Sequence, residues 1–335
     1  MERLAILGGG AWGTALALQA ARCGCRVQLW VREPELVAEI EQGRENTTFL
    51  PGYPLPAEIE VSADLNQTVA GVDGLLSVVP SAHARSVYAQ LDLPASLPVV
   101  CANKGIEEQS LMLPIDVAAD VLGAARPYAV LSGPSFASDV AAGRPTALVI
   151  ASESTALADT MQRRLSSATL RVYTNRDPVG VQVGAAMKNV IAIAAGMLDG
   201  LGVGANARAA LITRGLAEMT RLGCALGAQA ETFAGLTGMG DLVLTATDQQ
   251  SRNFTLGREL GRGVPLQQHL DAAPTVAEGW KTTRAVHALA RRHAVTMPIV
   301  DEVYRILYQQ GSPRDSVQRL MERPLISETP DLKSS

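Results

Sequence analysis

Two lysines stand where an amine could carry a proton or hold an anion. Lys188 is the single charged residue between Asp177 and Asp199, at the centre of an apolar helical pattern. A buried ammonium needs a partner or a function, and lysine can lose its proton when desolvated, whereas arginine cannot. Lys188 is therefore a candidate general acid or base, the alternative being a side chain that reaches the surface along the helix. Lys104 follows a predicted strand, at the end that lines the ligand crevice of an open α/β sheet.

A glycine-rich motif stands near the start of the chain. Gly8, Gly10 and Gly13 form a G-x-G-x-x-G directly after the apolar run Leu4 to Leu7 and before a helical pattern. In a dinucleotide-binding turn the first glycine permits the tight bend, the second admits the pyrophosphate, and the third lets helix and strand pack closely. The free N–H groups of the helix N-terminus then bind the phosphates. We predict that this turn binds NAD(P), the alternative being a glycine turn with a structural role alone.

The end of the second predicted strand bears on the choice of cofactor. It is followed by Arg32 and Glu33. NADP enzymes tend to carry an arginine here for the 2′-phosphate, whereas NAD enzymes carry an acid for the ribose hydroxyls. Arg32 favours NADPH and Glu33 leaves NADH open. An arginine that is merely exposed at a strand end is the alternative without function.

Three polar segments could bind a small anionic substrate. Ser251 is a good N-cap, and Arg252 with Asn253 at a helix start would suit a phosphate group. Asp241 places a lone carboxylate in an apolar pattern, and Ser132 to Ala137 offers hydroxyls and backbone amides after another predicted strand. Each could instead be structural, as a capped surface helix or a turn into a helix. Together with the lysines and the dinucleotide turn, they fit dehydrogenation of a phosphorylated alcohol.

Short apolar runs alternate with helical patterns in the first half of the chain. The predicted strands are Leu4 to Leu7, Val27 to Val31, Leu75 to Val79, Pro98 to Ala102, Ala129 to Leu131 and Ala147 to Ile150. Such β-α alternation predicts an α/β fold with a doubly wound parallel sheet, and nearly everything past about Arg176 is helical in pattern. The sequence thus predicts a Rossmann domain over 1–177, an all-helical substrate domain over 178–325, and a frayed tail over 326–335.

The composition excludes several classes of protein. The chain of 335 residues has 33 acidic against 29 basic side chains, and a net charge of -4 argues against a binder of nucleic acid or membrane surfaces. The N-terminal apolar run is too short for a signal peptide, and the long apolar stretch around Lys188 fits a buried core helix better than a membrane span. Four cysteines and four histidines have neither zinc nor triad spacing, which favours reduced thiols in a cytosolic protein without a metal.

Several short motifs are spread along the chain in a fixed order. They are Gly8 to Leu16, Val79 to Ser81, Ala102 to Ile106, Ser132 to Ala137, Ala186 to Ala192, Gly238 to Leu242, Ser251 to Asn253 and Glu278 to Gly279. In order and spacing they resemble the bacterial NAD(P)-dependent glycerol-3-phosphate dehydrogenases, from Leu4 to about Leu320. Separated motifs in one order are far more specific than any one of them.

The resemblance implies reversible conversion of sn-glycerol 3-phosphate and dihydroxyacetone phosphate with NADPH or NADH, for phospholipid synthesis. It implies that Lys188 accepts the proton in oxidation and donates it in reduction. The substrate-binding residues would be Lys104, Gly133, Ser135, Asn189, Asp241, Ser251, Arg252 and Asn253. The cofactor-binding residues would be Gly8, Gly10, Ala11, Trp12, Gly13, Arg32, Lys104, Ala137, Arg252, Val276 and Glu278. A cytoplasmic homodimer is also implied.

Two departures and two other interpretations stand beside this resemblance. Trp280 and Lys281, shortly after Glu278, occupy positions that often vary. Ala11 occupies a position where many relatives carry serine, so a backbone amide must replace one hydroxyl contact to the cofactor. A dehydrogenase of a hydroxy acid or a ketopantoate-like substrate could share the same two-domain plan. A non-catalytic dinucleotide sensor, whose helical half binds a protein, would need no lysine at the crevice, so Lys188 and Lys104 favour an enzyme.

Overall fold

One sheet organises the first half of the protein. The computed structural model describes residues 1–272, 277–325 and 327–328. The strands within these ranges are β1 (Arg3–Leu7), β2 (Arg26–Trp30), β3 (Ile59–Ser62), β4 (Gly74–Ser77), β5 (Val99–Cys101), β6 (Tyr128–Ser132), β7 (Thr146–Ala151) and β8 (Leu170–Asn175). They form a single sheet in the order β3-β2-β1-β4-β5-β6-β7-β8. The order reverses beside β1, which is where an open α/β sheet forms its ligand crevice.

Helices cover both faces of this sheet. They are α1 (Ala11–Arg22), α2 (Pro34–Gly43), α3 (Leu65–Val69), α4 (Ser81–Tyr88), α5 (Pro114–Leu122), α6 (Ala137–Ala141) and α7 (Thr155–Leu165). Helices α1, α2, α6 and α7 share one apolar cluster with the sheet, whereas α3, α4 and α5 share another. The predicted Rossmann architecture is therefore confirmed.

The sheet is mixed rather than wholly parallel, which differs from the prediction made from the apolar runs. Strands β6 and β7 are antiparallel, with Leu131 opposite Ile150, whereas the other neighbouring strands are parallel. The connection over 133–145 starts and finishes at the same end of the two strands, so β7 pairs with β6 without a crossover. The apolar pattern could not reveal this, because a strand buried on both faces is apolar whichever way it runs.

Two strands were missing from the prediction because they lie at the edges of the sheet. In β3, Ile59 and Val61 are buried and Glu60 is exposed. In β8, Leu170 and Val172 are buried while Arg171 and Tyr173 face outward. An edge strand with one solvated face alternates in polarity, so a search for continuous apolar runs does not detect it.

The second half is helical, as predicted. Its elements are α8 (Pro178–Leu201), α9 (Ala205–Ala225), α10 (Ala230–Phe233), a π-helical turn (Leu236–Gly240), α11 (Asp241–Thr247), α12 (Arg252–Gly261), α13 (Leu266–Ala272), α14 (Gly279–Arg292), α15 (Pro298–Tyr308) and α16 (Pro313–Met321). Helix α14 begins at Gly279 rather than at the predicted Val276, which lies outside the described residues. The predicted tail over 326–335 also lies outside them, apart from Ser327 and Glu328.

Helix α8 forms the centre of this half. It is long and apolar enough to cross a membrane, with a mean hydropathy of 1.5, but 94% of that window is buried within the fold. Its contact with α12 is made between backbones. A Cβ on Gly196 would lie 2.0 Å from the carbonyl oxygen of Phe254, and one on Gly257 would lie 2.0 Å from that of Ile193. Glycines on both helices are therefore required for this approach.

A buried carboxylate lies where the sheet gives way to α8. Asp177 caps the helix by accepting the Gly180 N–H at 2.8 Å, and it also accepts the Gln229 N–H and the Thr232 hydroxyl. Since Pro178 fills the first helical position, where no N–H is needed, the sequence at this point favours a helix start. Asp177 thus links the start of α8 to α10.

Candidate active site

The glycine-rich turn follows β1 directly, and its first and third motif glycines lie too close to neighbouring backbone to carry a side chain. Gly8 has a φ of 114°, and a Cβ there would lie 3.2 Å from the backbone of Val78 at the end of β4. A Cβ on Gly13 would lie 1.9 Å from the carbonyl oxygen of Gly8, so the third glycine is needed for the helix to leave the strand. No side chain caps α1 at Gly10, and a Cβ on Gly10 would meet no atom within 4 Å.

This turn fits the pyrophosphate of a dinucleotide. The first N–H groups of α1, beginning at Ala11, receive no side-chain cap and lie at the positive end of the helix dipole. The missing hydroxyl at Ala11 costs one side-chain donor but leaves these backbone donors in place. The Trp12 ring lies beside Lys104, whose Nζ is 5.2 Å from the ring centroid. The turn and the loop after β5 therefore face the same crevice.

Lys188 and Asp241 form a buried ion pair at the heart of the site. The Lys188 Nζ donates to Asp241 Oδ1 at 2.5 Å, and the two residues are 5% and 0% exposed. The Lys104 Nζ lies 4.0 Å from the other oxygen, Oδ2. Oδ2 has no hydrogen-bond partner among the described residues, although it is fully buried. A carboxylate between two ammonium groups balances part of their charge and holds Lys188 in one place.

The surroundings of Lys188 tune its proton affinity. Burial lowers the pKa of Lys188 to about 7, Asp241 opposes this shift, and the nearby ammonium of Lys104 adds to it. An ordinary lysine has a pKa near 10.4 and would hold its proton throughout the physiological range. Lys188 can therefore hold or release a proton near neutral pH, which a general acid–base group must do.

Two helices bring these two residues together. Lys188 lies in the middle of α8, and Asp241 is the first residue of α11, after the π-helical turn. A Cβ on Gly184 of α8 would lie 2.6 Å from the carbonyl oxygen of Thr237, so the turn can approach α8 only because this position lacks a side chain. Thr245, one helical turn after Asp241, donates its hydroxyl to Asp241 Oδ1 at 3.3 Å.

The sequence patterns did not identify Thr245 as a residue of the site. Its spacing of four residues from Asp241 places both on one face of a helix, which is the available signal. Threonine is common in helices, where its hydroxyl often bonds the preceding turn of backbone, so that signal is weak.

Asn189 contacts the backbone of Lys104, and the loop after β6 approaches the residue before Asp241. The Asn189 amide donates to the carbonyl oxygen of Lys104 at 3.5 Å. Gly133 has a φ of 140°, and a Cβ there would lie 3.1 Å from the backbone of β7. The Ser135 hydroxyl donates to the carbonyl oxygen of Gly133 at 3.1 Å. The neighbouring Pro134 lies 3.7 Å from the position of a Cβ on Gly240, so this loop reaches the residue before Asp241.

The start of α12 presents polar groups to the same region. Ser251 is the N-cap, and its hydroxyl accepts the Phe254 N–H at 3.2 Å. Asn253 Oδ1 accepts the Gly279 N–H at 3.0 Å, which leaves its NH₂ group as the donor for an anion. Arg252 is exposed and carries its charge at the helix N-terminus. The cap predicted at Ser251 is thus present, and the same helix N-terminus leaves Arg252 and the Asn253 NH₂ group available to an anion.

Glu278 is a further acid at this end of the site. Burial raises the pKa of the Glu278 carboxyl, while the cations Arg252 and Lys104 act in the opposite sense. Glu278 directly precedes α14, beside the Gly279 N–H that Asn253 holds. The predicted cofactor residue Ala137 begins α6 after the loop containing Ser135. Val276, the other predicted cofactor residue in this region, lies outside the described residues.

Arg32 lies apart from this cluster, at the end of β2. Its side chain is 69% exposed and forms an ion pair of 2.6 Å with Glu33. An exposed pair contributes little to stability, so the guanidinium can turn toward another anion at small cost. Arg32 and Glu33, the two residues that bear on cofactor choice, thus lie together after the end of β2.

No group of three or more His, Cys, Asp or Glu side chains within the described ranges could hold a metal ion. Within these ranges, the charged side chains that act on Lys188 are those of Asp241 and Lys104. The arrangement can bind a dinucleotide along the turn after β1, hold an anion near α12, and exchange a proton at Lys188.

Comparison with known proteins agrees with this geometry. Residues 3–158 match the family model for the N-terminus of NAD-dependent glycerol-3-phosphate dehydrogenase, and residues 177–318 match the one for its C-terminus. The chain is 50% identical over 331 residues to glycerol-3-phosphate dehydrogenase [NAD(P)+] of Geobacter sulfurreducens, covering 98% of this chain and 99% of the relative. It is 48% identical over 327 residues to the enzyme of that name from Rhodospirillum rubrum, covering 97% and 93%.

A solved structure gives the same result. The crystal structure of glycerol-3-phosphate dehydrogenase from Coxiella burnetii superposes with a TM-score of 0.92 at 43% identity, covering 96% of this chain and 99% of that one. Both halves of the chain are thus matched, at high identity and over nearly their full length. The chain therefore belongs to the NAD-dependent glycerol-3-phosphate dehydrogenase family.

Proposed function

We propose that this protein is an NAD(P)-dependent glycerol-3-phosphate dehydrogenase that interconverts dihydroxyacetone phosphate and sn-glycerol 3-phosphate. The observation that carries the proposal is the buried pair of Lys188 and Asp241, placed between a dinucleotide-binding turn and the start of α12. A ketone oxygen near Lys188 would receive its proton from a group whose pKa lies at about 7. Family membership supports the choice of this substrate over other hydroxy compounds.

We assign cofactor binding to residues 1–177 and substrate binding mainly to residues 178–325. Gly8, Gly10, Ala11 and Gly13 would hold the pyrophosphate through backbone N–H groups. When bound, NADPH or NADH supplies the hydride. The other residues assigned to the cofactor are Trp12, Arg32, Lys104, Ala137, Arg252, Val276 and Glu278. Among these, Lys104 and Arg252 reach toward the substrate as well, because each carries its charge at the junction of the two halves.

The substrate phosphate belongs at the start of α12. Ser251, Arg252 and Asn253 combine a helix N-terminus with a guanidinium and an amide, which suits a dianion. Lys104 and Asn189 would orient the carbon chain between this end and Lys188. Gly133 and Ser135 complete the pocket from the β6 loop. Binding energy at the phosphate can then align the carbonyl for reaction.

The proton transfer runs through Lys188. In reduction its ammonium donates a proton to the carbonyl oxygen as hydride reaches the carbon, and in oxidation the neutral amine removes the hydroxyl proton. Asp241 holds the amine by the 2.5 Å hydrogen bond and favours its charged form. Lys104 opposes that charge, so together they keep both protonation states accessible.

The rate should depend on pH in opposite ways for the two directions. Because Lys188 has a pKa of about 7 and must be protonated for reduction, kcat/KM for dihydroxyacetone phosphate should fall as pH rises above about 7. In oxidation the neutral amine is required, so kcat/KM for sn-glycerol 3-phosphate should rise through the same range. Initial rates in both directions would measure this. Profiles that are flat from about pH 6 to about pH 9 would contradict the assignment.

The function itself is tested by following nicotinamide absorbance with dihydroxyacetone phosphate. We expect oxidation of both NADPH and NADH, with NADPH used at least as well, because an arginine after the second strand suits the 2′-phosphate. A strong preference for NADH would contradict the role of Arg32. Turnover of a phosphate-free hydroxy acid or ketopantoate in place of dihydroxyacetone phosphate would instead favour the other class of dehydrogenase.

We further propose that the protein is a cytoplasmic homodimer that supplies glycerol phosphate for phospholipids. The family supports this role, and the net charge of -4 does not favour a partner such as nucleic acid or a membrane surface. Light scattering at working concentration would measure the mass of the assembly. A mass of one chain would rule out the dimer without affecting the proposed chemistry.

A further inference from the structure

A buried asparagine joins the glycine-rich turn to a distant part of the chain. Asn46 lies between α2 and β3 and is 0% exposed. Its Nδ2 donates to the carbonyl oxygen of Gly9 at 2.7 Å and to the Thr14 hydroxyl at 2.9 Å. Its Oδ1 accepts the Phe49 N–H at 3.1 Å. Because a carbonyl can only accept and a backbone N–H can only donate, these partners fix which way the amide is turned.

The bond to Gly9 controls the orientation of one peptide plane. The Gly9–Gly10 peptide is trans, so its N–H points away from its carbonyl. When Asn46 holds the Gly9 carbonyl, the Gly10 N–H is aimed at the opposite side of the turn. Two adjacent glycines flank this peptide, and without side chains they leave the plane free to rotate at little cost. The turn therefore needs an outside contact to keep its donors in one direction.

Asn46 is itself held in place by a closed segment. The segment runs from Arg44 to Pro56 and is joined to itself by backbone bonds from Leu55 to Arg44 and from Leu50 to Asn46. Glu45 accepts the Gly52 N–H at 2.7 Å within the same segment. The amide is thus a rigid contact rather than a side chain that happens to reach the turn.

We propose that Asn46 is a positioning residue that holds the glycine-rich turn in the conformation that receives the cofactor pyrophosphate. This rests on the proposed NAD(P) function of the turn. Asn46 touches neither the cofactor nor the substrate in this role. It acts through the Gly9 carbonyl, and Thr14 holds the second hydrogen of its amide. Loss of this contact should therefore weaken cofactor binding while leaving the Lys188 site intact.

The test uses Asn46→Asp, which keeps the shape and the acceptor for Phe49 but removes both N–H donors. Titration calorimetry of the full-length protein with NADPH should show the Kd raised by about tenfold or more, equivalent to about 1.4 kcal/mol. At saturating cofactor, kcat and the KM for dihydroxyacetone phosphate should stay within about threefold of the parent, since Lys188 and α12 are untouched. An unchanged Kd in a folded variant would overturn the proposal.

Two further variants separate positioning from general loosening and from the added charge. Glu45→Ala removes a hydrogen bond that helps to hold the same segment but leaves the Asn46 amide in place, so its Kd should rise less than that of Asn46→Asp. Thr14→Val adds no charge but removes both the second partner of the amide and the Thr14 hydroxyl that itself donates to the Gly9 carbonyl at 3.4 Å. It should raise the Kd, whereas Thr14→Ser should keep the parental value. An equal rise in Glu45→Ala and Asn46→Asp would overturn the proposal, as would parental affinity in Thr14→Val.

The same experiments distinguish this proposal from the proposed function. If Asn46→Asp fails to fold, Asn46→Ala, which removes the same donors without adding a charge, is titrated in its place. If the unaltered protein binds neither NADPH nor NADH, the cofactor assignment itself is wrong. Parental binding together with insensitivity to both Asn46 and Thr14 overturns the positioning role only.

Discussion

Replacing Lys188 by methionine should lower kcat by at least about 100-fold, which is the usual contribution of a general acid–base group. The methionine side chain fills similar space but has no proton to give. Steady-state rates with dihydroxyacetone phosphate, at saturating NADPH, measure the effect. Near-normal turnover would remove Lys188 from the mechanism.

A second substitution at the same position separates charge from proton transfer. Lys188→Arg keeps a cation beside Asp241, but arginine does not release its proton near neutral pH. If the proton is what matters, this variant should be nearly as slow as Lys188→Met. Full activity in Lys188→Arg would mean that the site requires only a positive charge. Melting temperatures of both variants serve as the control, because Lys188→Met leaves the buried Asp241 carboxylate with Lys104, 4.0 Å away, as its cationic partner among the described residues.

Replacing Arg252 by alanine should raise the KM for dihydroxyacetone phosphate by about 10- to 100-fold, because a hydrogen bond to a charged group contributes about 1.5–3 kcal/mol. The guanidinium lies at the N-terminus of α12, where it adds a full charge to the dipole of the helix. The effect should be concentrated in KM, since Lys188 and Asp241 are unaffected. An unchanged KM would contradict the phosphate assignment.

The control for Arg252 lies on the same helix. Arg262, at the other end of α12, is exposed and paired with Glu259 at 3.1 Å. Arg262→Ala removes the same charge without touching the site, and its KM should equal that of the parent. Unphosphorylated dihydroxyacetone offers a second comparison. Because it lacks the group that Arg252 binds, its slow turnover should be similar in the parent and in Arg252→Ala.

The sequence allowed the main parts of the site to be predicted because each has a local signature. Gly8 to Gly13 follows an apolar strand, and Lys188 interrupts a long apolar helix. Asp241 is likewise a lone carboxylate in an apolar pattern. In each case the residue carries a cost that can be judged without a structure, which is conformational entropy for the glycines and burial of a charge for Lys188 and Asp241. The pairing of Lys188 with Asp241 adds what no spacing could show, since they are 53 residues apart.

The remaining features depend on contacts between distant segments. Asn46 lies 37 residues from Gly9, in a connection with no periodic pattern, and its amide has no unusual neighbours in sequence. The antiparallel order of β6 and β7 depends on which edge of the sheet the chain returns to. The two edge strands alternate in polarity over only a few residues, and Thr245 resembles any helical threonine. Local propensity carries little information about such tertiary choices.

The glycine contact between α8 and α12 has a consequence for substrate choice. Lys188 belongs to one of these helices and Arg252 to the other, and Gly196 and Gly257 seat them backbone against backbone. The separation of the two backbones that carry Lys188 and Arg252 is therefore set by main-chain atoms, which cannot adjust as side chains do. The fixed separation of the two helices limits the length of a substrate that both side chains could contact at once. With Arg252 at the phosphate and Lys188 at the carbonyl, as proposed, we expect a ketone whose carbonyl lies one carbon nearer to or farther from its phosphate to react more slowly.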